Sequence, residues 1–311
     1  RGFEVTVIDN FSTGRIENLC NVEKKINLIE GDLSKRGDWE QNFAEVDWVF
    51  HLAALADIVP SIKQPEDYFR ANVDGTFNVL QASHEARVRR FVYVASSSSY
   101  GIPKVYPTPE TARIEPQYPY ALTKYLGEEL VLHWAKVYNL PSLSLRFFNV
   151  YGPRARTTGS YGAVFGVFLA QKFAGQPFTV VGDGEQTRDF TYISDIVSAL
   201  ICAAESKRSN CAYNVGSGAT VSINRLVELL GGEKVYIPKR PGEPECTYAD
   251  IKNVEEELGW FPQVSIEDGV DQLLKGIDSW STAPVWDPES IAEATRDWFH
   301  FLGPTEKGGD Y

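Results

Sequence analysis

Phe91-Val92-Tyr93-Val94-Ala95-Ser96-Ser97-Ser98-Ser99 is a strand-sized apolar run that ends abruptly in serines. Two earlier runs have the same form, Val5-Thr6-Val7-Ile8 and Trp48-Val49-Phe50. A later one, Ser142–Phe148, leads into Asn149 and Pro153. Each of the first three is followed by polar or small residues and then by a helix-like stretch. Segment 66–87 sets Phe69, Val73, Phe77, Val79 and Leu80 at roughly helical spacing. Segment 120–138 does the same with Leu122, Leu126, Leu130, Val131 and Trp134. Apolar strands alternating with amphipathic helices predict an α/β fold, a doubly wound parallel sheet with helices on both faces.

From about Ser160 the pattern changes to longer loops and helical pieces at 194–205, 222–230, 250–258 and 266–278. We therefore expect a sheet domain over 1–159. A smaller, mainly ligand-binding region is expected over 160–311, with some segments returning to the first domain. The aromatic stretch Trp280–Phe301 reads as a helix on the body, and residues 302–311 as a frayed end.

Asp9 follows the first strand directly. An acidic residue there commonly holds the adenosine ribose of a dinucleotide, about 20 residues after a Gly-rich turn. The chain opens at Arg1-Gly2-Phe3-Glu4, which leaves no room for that turn. The expectation is a doubly wound sheet whose first strand and Gly-rich loop are absent from this sequence. Taken alone, Asp9 is equally a turn residue at a strand end.

Composition excludes several classes. In 311 residues, 43% are hydrophobic and 23% charged, an ordinary globular balance. A net charge of -12 opposes tracking along a polyanion, so no nucleic-acid partner is expected. The four cysteines (Cys20, Cys202, Cys211, Cys246) are widely spaced and the four histidines dispersed, which predicts neither a disulfide framework nor a metal site. No apolar run is long enough for a membrane span, and a cytoplasmic protein is expected.

The chemistry concentrates in Tyr120-Ala121-Leu122-Thr123-Lys124. A spacing of four places phenol and ammonium on one helical face, and a nearby cation favours phenolate over the ordinary pKa of about 10. Such a tyrosine exchanges a proton with a sugar hydroxyl. The serine run, lying where a strand ends, supplies a hydroxyl to orient the reacting oxygen. Against this stands a packed Tyr120 with Lys124 snorkelling to the surface.

With these elements the chain resembles the extended short-chain dehydrogenase/reductase family, the NAD-dependent nucleotide-sugar epimerases and dehydratases, over nearly its whole length. It shares Asp9-Asn10-Phe11-Ser12-Thr13-Gly14-Arg15, Gly31-Asp32-Leu33, His51-Leu52-Ala53-Ala54, Asn72-Val73-Asp74-Gly75-Thr76, Arg146–Pro153 and Arg188-Asp189-Phe190. The resemblance implies a Rossmann-like fold, NAD as cofactor, and a homodimer through the helices near 66–87 and 120–138. It implies Ser96 or Ser97, Tyr120 and Lys124 as the catalytic group. It assigns to NAD Asp9, Asn10, Ser12, Thr13, Gly14, Asp32, Leu33, Leu52, Ala53, Ala54, Asn72 and Phe147, together with Tyr120 and Lys124. It assigns to the nucleotide sugar Ser98, Asn149, Arg188, Arg240 and Thr247. Simpler roles compete: Asp32 and Asn72 as caps, Arg188 in a surface ion pair, Arg240 in an exposed turn.

Dehydratases of this family carry an Asp-Glu pair just after the catalytic hydroxyl, where this chain has serines. Serines do not readily supply the acid and base that elimination needs. The pattern points to epimerisation at C4 of a UDP-sugar through a 4-keto intermediate, less to a ketosugar reductase. Thr247, at the position of the sugar-pocket gatekeeper, leaves space that tyrosine would fill. That favours UDP-GlcNAc/UDP-GalNAc or UDP-Glc/UDP-Gal, with UDP-glucuronate close behind. The loop Gly159-Ser160-Tyr161-Gly162 is expected over the sugar. An NAD-binding regulator or scaffold is the rival outside enzymes, and Tyr120 and Lys124 count against it.

Overall fold

The computed structural model describes residues 1–156 and 162–303. The first half runs β1 (Thr6–Asp9), β2 (Asn27–Glu30), β3 (Trp48–His51), α1 (Ile58–Lys63), α2 (Pro65–Phe69) and α3 (Gly75–Glu85). It continues through β4 (Arg90–Ser96), α4 (Pro119–Val137), β5 (Ser142–Phe147) and β6 (Asn149–Tyr151). The second half contains α5 (Val164–Phe173), β7 (Phe178–Val181), β8 (Thr187–Arg188), β9 (Phe190–Tyr192), α6 (Ile193–Glu205) and β10 (Cys211–Val215). It closes with β11 (Val221–Ser222), α7 (Ile223–Leu230), β12 (Lys234–Ile237), α8 (Lys252–Leu258), α9 (Ile266–Lys275) and α10 (Pro288–Leu302).

Four parallel strands pair in the order β10-β5-β4-β3, and β1 pairs with β2 in a separate parallel ladder. Alternation along β4 sends Phe91, Tyr93 and Ala95 to a core with Val79, Leu80, Val131 and Trp134 of α3 and α4. Val92 of β4 faces the opposite way, joining Leu143 and Leu145 of β5 and Ile196, Ala199 and Val254 of α6 and α8. Helices therefore cover both faces. Burial decreases from the closed interior of β4 to the half-buried β3 and the partly exposed β1.

The second core gathers Tyr151, Phe165, Phe168, Phe178, Leu226, Val270, Trp280 and Ile291. Segments α6, β10 and α8 return to the first sheet. We therefore propose to divide the regions by core rather than at residue 159. Gly159, Ser160 and Tyr161 of the expected loop, and the tail from 304, lie outside the described residues.

Two expected helices differ. Segment 66–87 is broken by a π turn at Arg70–Asp74, which lets buried Asn72 bridge Leu55 and Thr123. The aromatic tail becomes helical only from Pro288, where Asp287 and Ser290 cap the start. No helix among the described residues is long and apolar enough to cross a membrane.

Helix α4 lies so close to β4 that a Cβ added at Gly127 would stand 2.2 Å from Tyr93 Oη. Alanine gains about 1 kcal/mol of helix propensity. Overpacking against a fully buried ring costs about 1–3 kcal/mol. We expect Gly127→Ala to lower the urea midpoint. An unchanged or raised midpoint would show that Tyr93 yields without cost.

Candidate active site

The C-terminal ends of β1, β3, β4 and β5 form one rim, the usual ligand edge of such sheets. At β4 the chain turns immediately into a short 3₁₀ turn, Ser97–Tyr100, capped by Ser96. Ser96 Oγ accepts from Ser98 N and lies 2.7 Å from Ser98 Oγ. Pro119 opens α4 and delivers Tyr120 to the same place. The Ser96 and Ser98 hydroxyls lie near enough to the Tyr120 phenol to lower its pKa. The sequence left the orienting serine between Ser96 and Ser97; within the turn, the Ser96 hydroxyl is hydrogen-bonded to that of Ser98.

Burial raises the Tyr120 pKa, the two serines lower it, and the charge of Asp57 raises it again. Lys124 is almost completely buried. Burial lowers its amine to about 7, while Glu128 pushes it back up. Its Nζ sits 4.5 Å from the centroid of the Tyr93 ring. His51 Nε2 and Thr76 Oγ1 are hydrogen-bonded at 2.9 Å. Thr76 spends its one proton on the carbonyl of Asn72, so His51 Nε2 carries the hydrogen. Burial and the Lys124 charge hold His51 near 3, neutral at ordinary pH.

A second cluster lies beside the first. Tyr118 stacks on Tyr120 with centroids 6.4 Å apart and reaches Trp298 of α10 at 6.3 Å. Burial raises the Tyr118 pKa, as does the charge of Glu243, while Ser98 and Arg188 lower it. Arg188 donates to Glu243 Oε1 at 2.9 Å, and Arg240 Nη1 lies 3.7 Å from Glu243 Oε2. Glu243 Oε2 is buried without a hydrogen-bond partner. Arg240 stands over the Trp298 ring, and Trp298 Nε1 donates to the carbonyl of Pro241. Thr247 Oγ1 donates to Asn149 Oδ1 at 2.7 Å, bringing those two predicted residues together. Tyr118, Asp57, Glu243 and Trp298 were missed in the sequence because their neighbours come from distant segments.

The nucleotide edge is more open. Asp9 ends β1 and accepts from Phe11 N, and Asn10 accepts from Ser12 N, in a turn that also holds Thr13 and Gly14. A Cβ at Gly14 would stand 3.1 Å from Asp9 Oδ2, so only glycine leaves that carboxylate clear. Asp32 is engaged by Ser34 N and Oγ, while Leu33 packs on the α3 core. Leu52 is 52% exposed and, with Ala53 and Ala54, offers a small apolar strip along the rim. A carboxylate at one strand end, an uncovered apolar strip and a lysine beyond it fit a bound dinucleotide. Phe147 instead packs toward the α6 and α8 core. A groove of about 650 Å³ lined by Asn224, Val227, Glu228 and Lys234 contains none of these residues. Among the described residues, no group of three or more His, Cys, Asp or Glu is placed to hold a metal ion.

Fold and rim together define a dinucleotide-binding α/β enzyme. The model of the NAD dependent epimerase/dehydratase family matches residues 1–216, and the chain belongs to that family and is an NAD-dependent enzyme. It is similar to the UDP-glucose 4-epimerase of Thermotoga maritima, solved with UDP-glucose, at 32% identity and a TM-score of 0.84, over 89% of this chain and 92% of that one. The UDP-N-acetylglucosamine 4-epimerase of Methanobrevibacter ruminantium, solved with UDP-N-acetylmuramic acid, is 32% identical with a TM-score of 0.82, over 88% and 91%. The UDP-glucuronic acid 4-epimerase of Bacillus cereus, solved with UDP-glucuronic acid and NAD, is 30% identical with a TM-score of 0.81, over 89% and 91%.

Because Ser98 is among the groups that lower the Tyr120 pKa, Ser98→Ala should raise it and reduce turnover by about 10-fold or more. Ser97→Ala should leave turnover within about twofold of the parent. Steady-state rates across pH check both, and the reverse ranking would remove Ser98 from the proton path.

Proposed function

We propose that this chain interconverts UDP-sugars epimeric at C4 through a transient 4-keto sugar. The observation that carries the proposal is Tyr120 beside the paired Ser96 and Ser98 hydroxyls, which lower its pKa, with Lys124 one helical turn away. Bound NAD supplies hydride acceptance and return at C4. Tyr120, as phenolate, takes the proton of the sugar 4-hydroxyl, and Ser96 and Ser98 hold that oxygen toward it. Lys124 is placed to favour the phenolate and, by resemblance, to hold the nicotinamide ribose. Asp9, Asn10, Ser12, Thr13, Gly14, Asp32, Leu33, Leu52, Ala53 and Ala54 would hold the rest of the dinucleotide.

Epimerisation requires the keto sugar to turn over while its diphosphate stays fixed. Arg188 and Arg240 suit that anchor, since guanidinium forks match phosphate oxygens. Both pair with Glu243, and a bound diphosphate would take the place of that carboxylate. The serine run in place of an Asp-Glu pair favours epimerisation over dehydration.

For the sugar we propose UDP-GlcNAc/UDP-GalNAc or UDP-Glc/UDP-Gal. Thr247 is a small gatekeeper, and the charge of Asp57 reaches Tyr120. Arg156 already donates to Asp57 at 2.7 Å, so a uronate carboxylate would meet a negative neighbour and compete for its cation. We also propose a homodimer in which exposed Phe69, Phe77 and Leu122 meet a second copy, and a cytoplasmic site of action in keeping with four free thiols.

Tyr120→Phe should retain NAD binding within about twofold and lose at least ~100-fold in turnover, because only the proton-transfer group is removed. Calorimetric titration with NAD beside product chromatography checks this, and near-normal turnover would overturn the role. Thr247→Tyr should lower the rate on UDP-GlcNAc relative to UDP-Glc by roughly 10-fold or more. An unchanged ratio would show that Thr247 does not gate the sugar.

A further inference from the structure

Lys124 is shut away from water, so something within the protein must sustain its charge if it is to act on Tyr120. Beyond its own helix, the neighbouring elements are β3, β4, α3 with the π turn before it, and β5. His51 from β3 is neutral, and burial pushes the Tyr93 hydroxyl of β4 far above its ordinary pKa, so it too is uncharged. The α3 segment and the π turn before it contribute uncharged Thr76 and Asn72. Arg146 from β5 is the remaining cation, and Glu128 takes up its charge.

Glu128 lies four residues along α4 from Lys124, on the same helical face, and is as buried as the amine. Its position is fixed from β5. Arg146 Nη2 donates to Oε1 at 2.6 Å, Arg146 Nε reaches both oxygens at 3.1 Å, and Ser144 Oγ donates to Oε2 at 2.7 Å. Arg146 is itself held by Tyr100 Oη at 2.8 Å and by the carbonyl of Glu110 at 3.0 Å. A carboxylate so constrained can neither leave nor turn toward solvent.

We propose that Glu128, fixed by Arg146 and Ser144, is a positioning residue that keeps Lys124 charged one helical turn from Tyr120. This rests on Tyr120 and Lys124 acting together in proton transfer. The Glu128–Arg146 pair then does more than join α4 to β5. It sets how much positive charge the buried amine carries, through the partial cancellation of one fixed anion by one fixed cation.

The sign of the effect separates this role from a structural one. Glu128→Gln removes the anion, so Lys124 should lose its proton at a pH at least about one unit lower. Arg146→Gln removes the competing cation and leaves Lys124 as the main partner of Glu128, so the same ionisation should move upward. The ionisation is read on the ligand-free protein from ¹³C chemical shifts of lysine ε-carbons, with Lys124→Arg assigning the signal. Turnover at neutral pH should fall about tenfold for each pH unit by which Lys124 ionisation drops. Opposite shifts in the two variants support the proposal; shifts of the same sign, or none, overturn it. Where Glu128→Gln does not fold, Glu128→Asp keeps the pair but draws the charge back by one methylene. It should move Lys124 in the same direction by less, and an unmoved signal overturns the proposal. The resonance test needs no substrate, so failure to epimerise any UDP-sugar would strike the proposed function and not this inference.

Discussion

A lysine amine sits out of water in α4, and much of the first domain is arranged around that constraint. Burial lowers Lys124 to about 7. A group near neutrality exchanges its charge readily with its surroundings, so small structural terms decide its state. The Tyr93 ring lies beneath it, His51 is kept neutral beside it, and Glu128 is locked one turn away. Gly127 allows α4 to approach β4 closely enough for these contacts. The groups that lower the Tyr120 pKa are Ser96 and Ser98.

The parallel sheet explains why these groups meet. Strand ends on one rim bring Asp9, the Leu52–Ala54 strip and the serine turn to a common edge, although some ninety residues of chain intervene. The second core brings the other half of the site. Arg188 on β8 and Arg240 after β12 converge on Glu243, and α10 returns Trp298 to pack under Arg240 and Tyr118. In the proposed cycle one core holds the reacting carbon against Tyr120 while the other anchors the diphosphate, which leaves the keto sugar free to turn between them.

Local patterns carried much of this into the sequence. The runs at Val5, Trp48, Phe91 and Ser142 are strands within a residue or two, and β4, with its closed interior, has the longest apolar run. Pro119 and the Tyr120–Lys124 spacing marked the start and the reactive face of α4. What escaped was set by distant contacts. β2 is only partly buried and its apolar signal is short, and β10 carries Asn214, whose amide is satisfied by Thr108 and Asp250 from far along the chain. The π turn at Asn72 answers to Leu55 and Thr123, not to its own neighbours. Ser97 and Ser98 are indistinguishable in a run of serines until the 3₁₀ turn fixes which hydroxyl meets Ser96. Glu243 reads as part of an exposed turn until two arginines close on it.

The most direct test follows the hydrogen at C4. The enzyme is incubated with NAD and a UDP-hexose carrying deuterium at that carbon, and the products are separated by chromatography and read by NMR. C4 epimers that approach the same mixture from either sugar, with deuterium retained at C4, are the predicted result. A 4-keto-6-deoxy product, or an epimer that has lost its label to solvent, would contradict hydride removal and return at one carbon beside Tyr120.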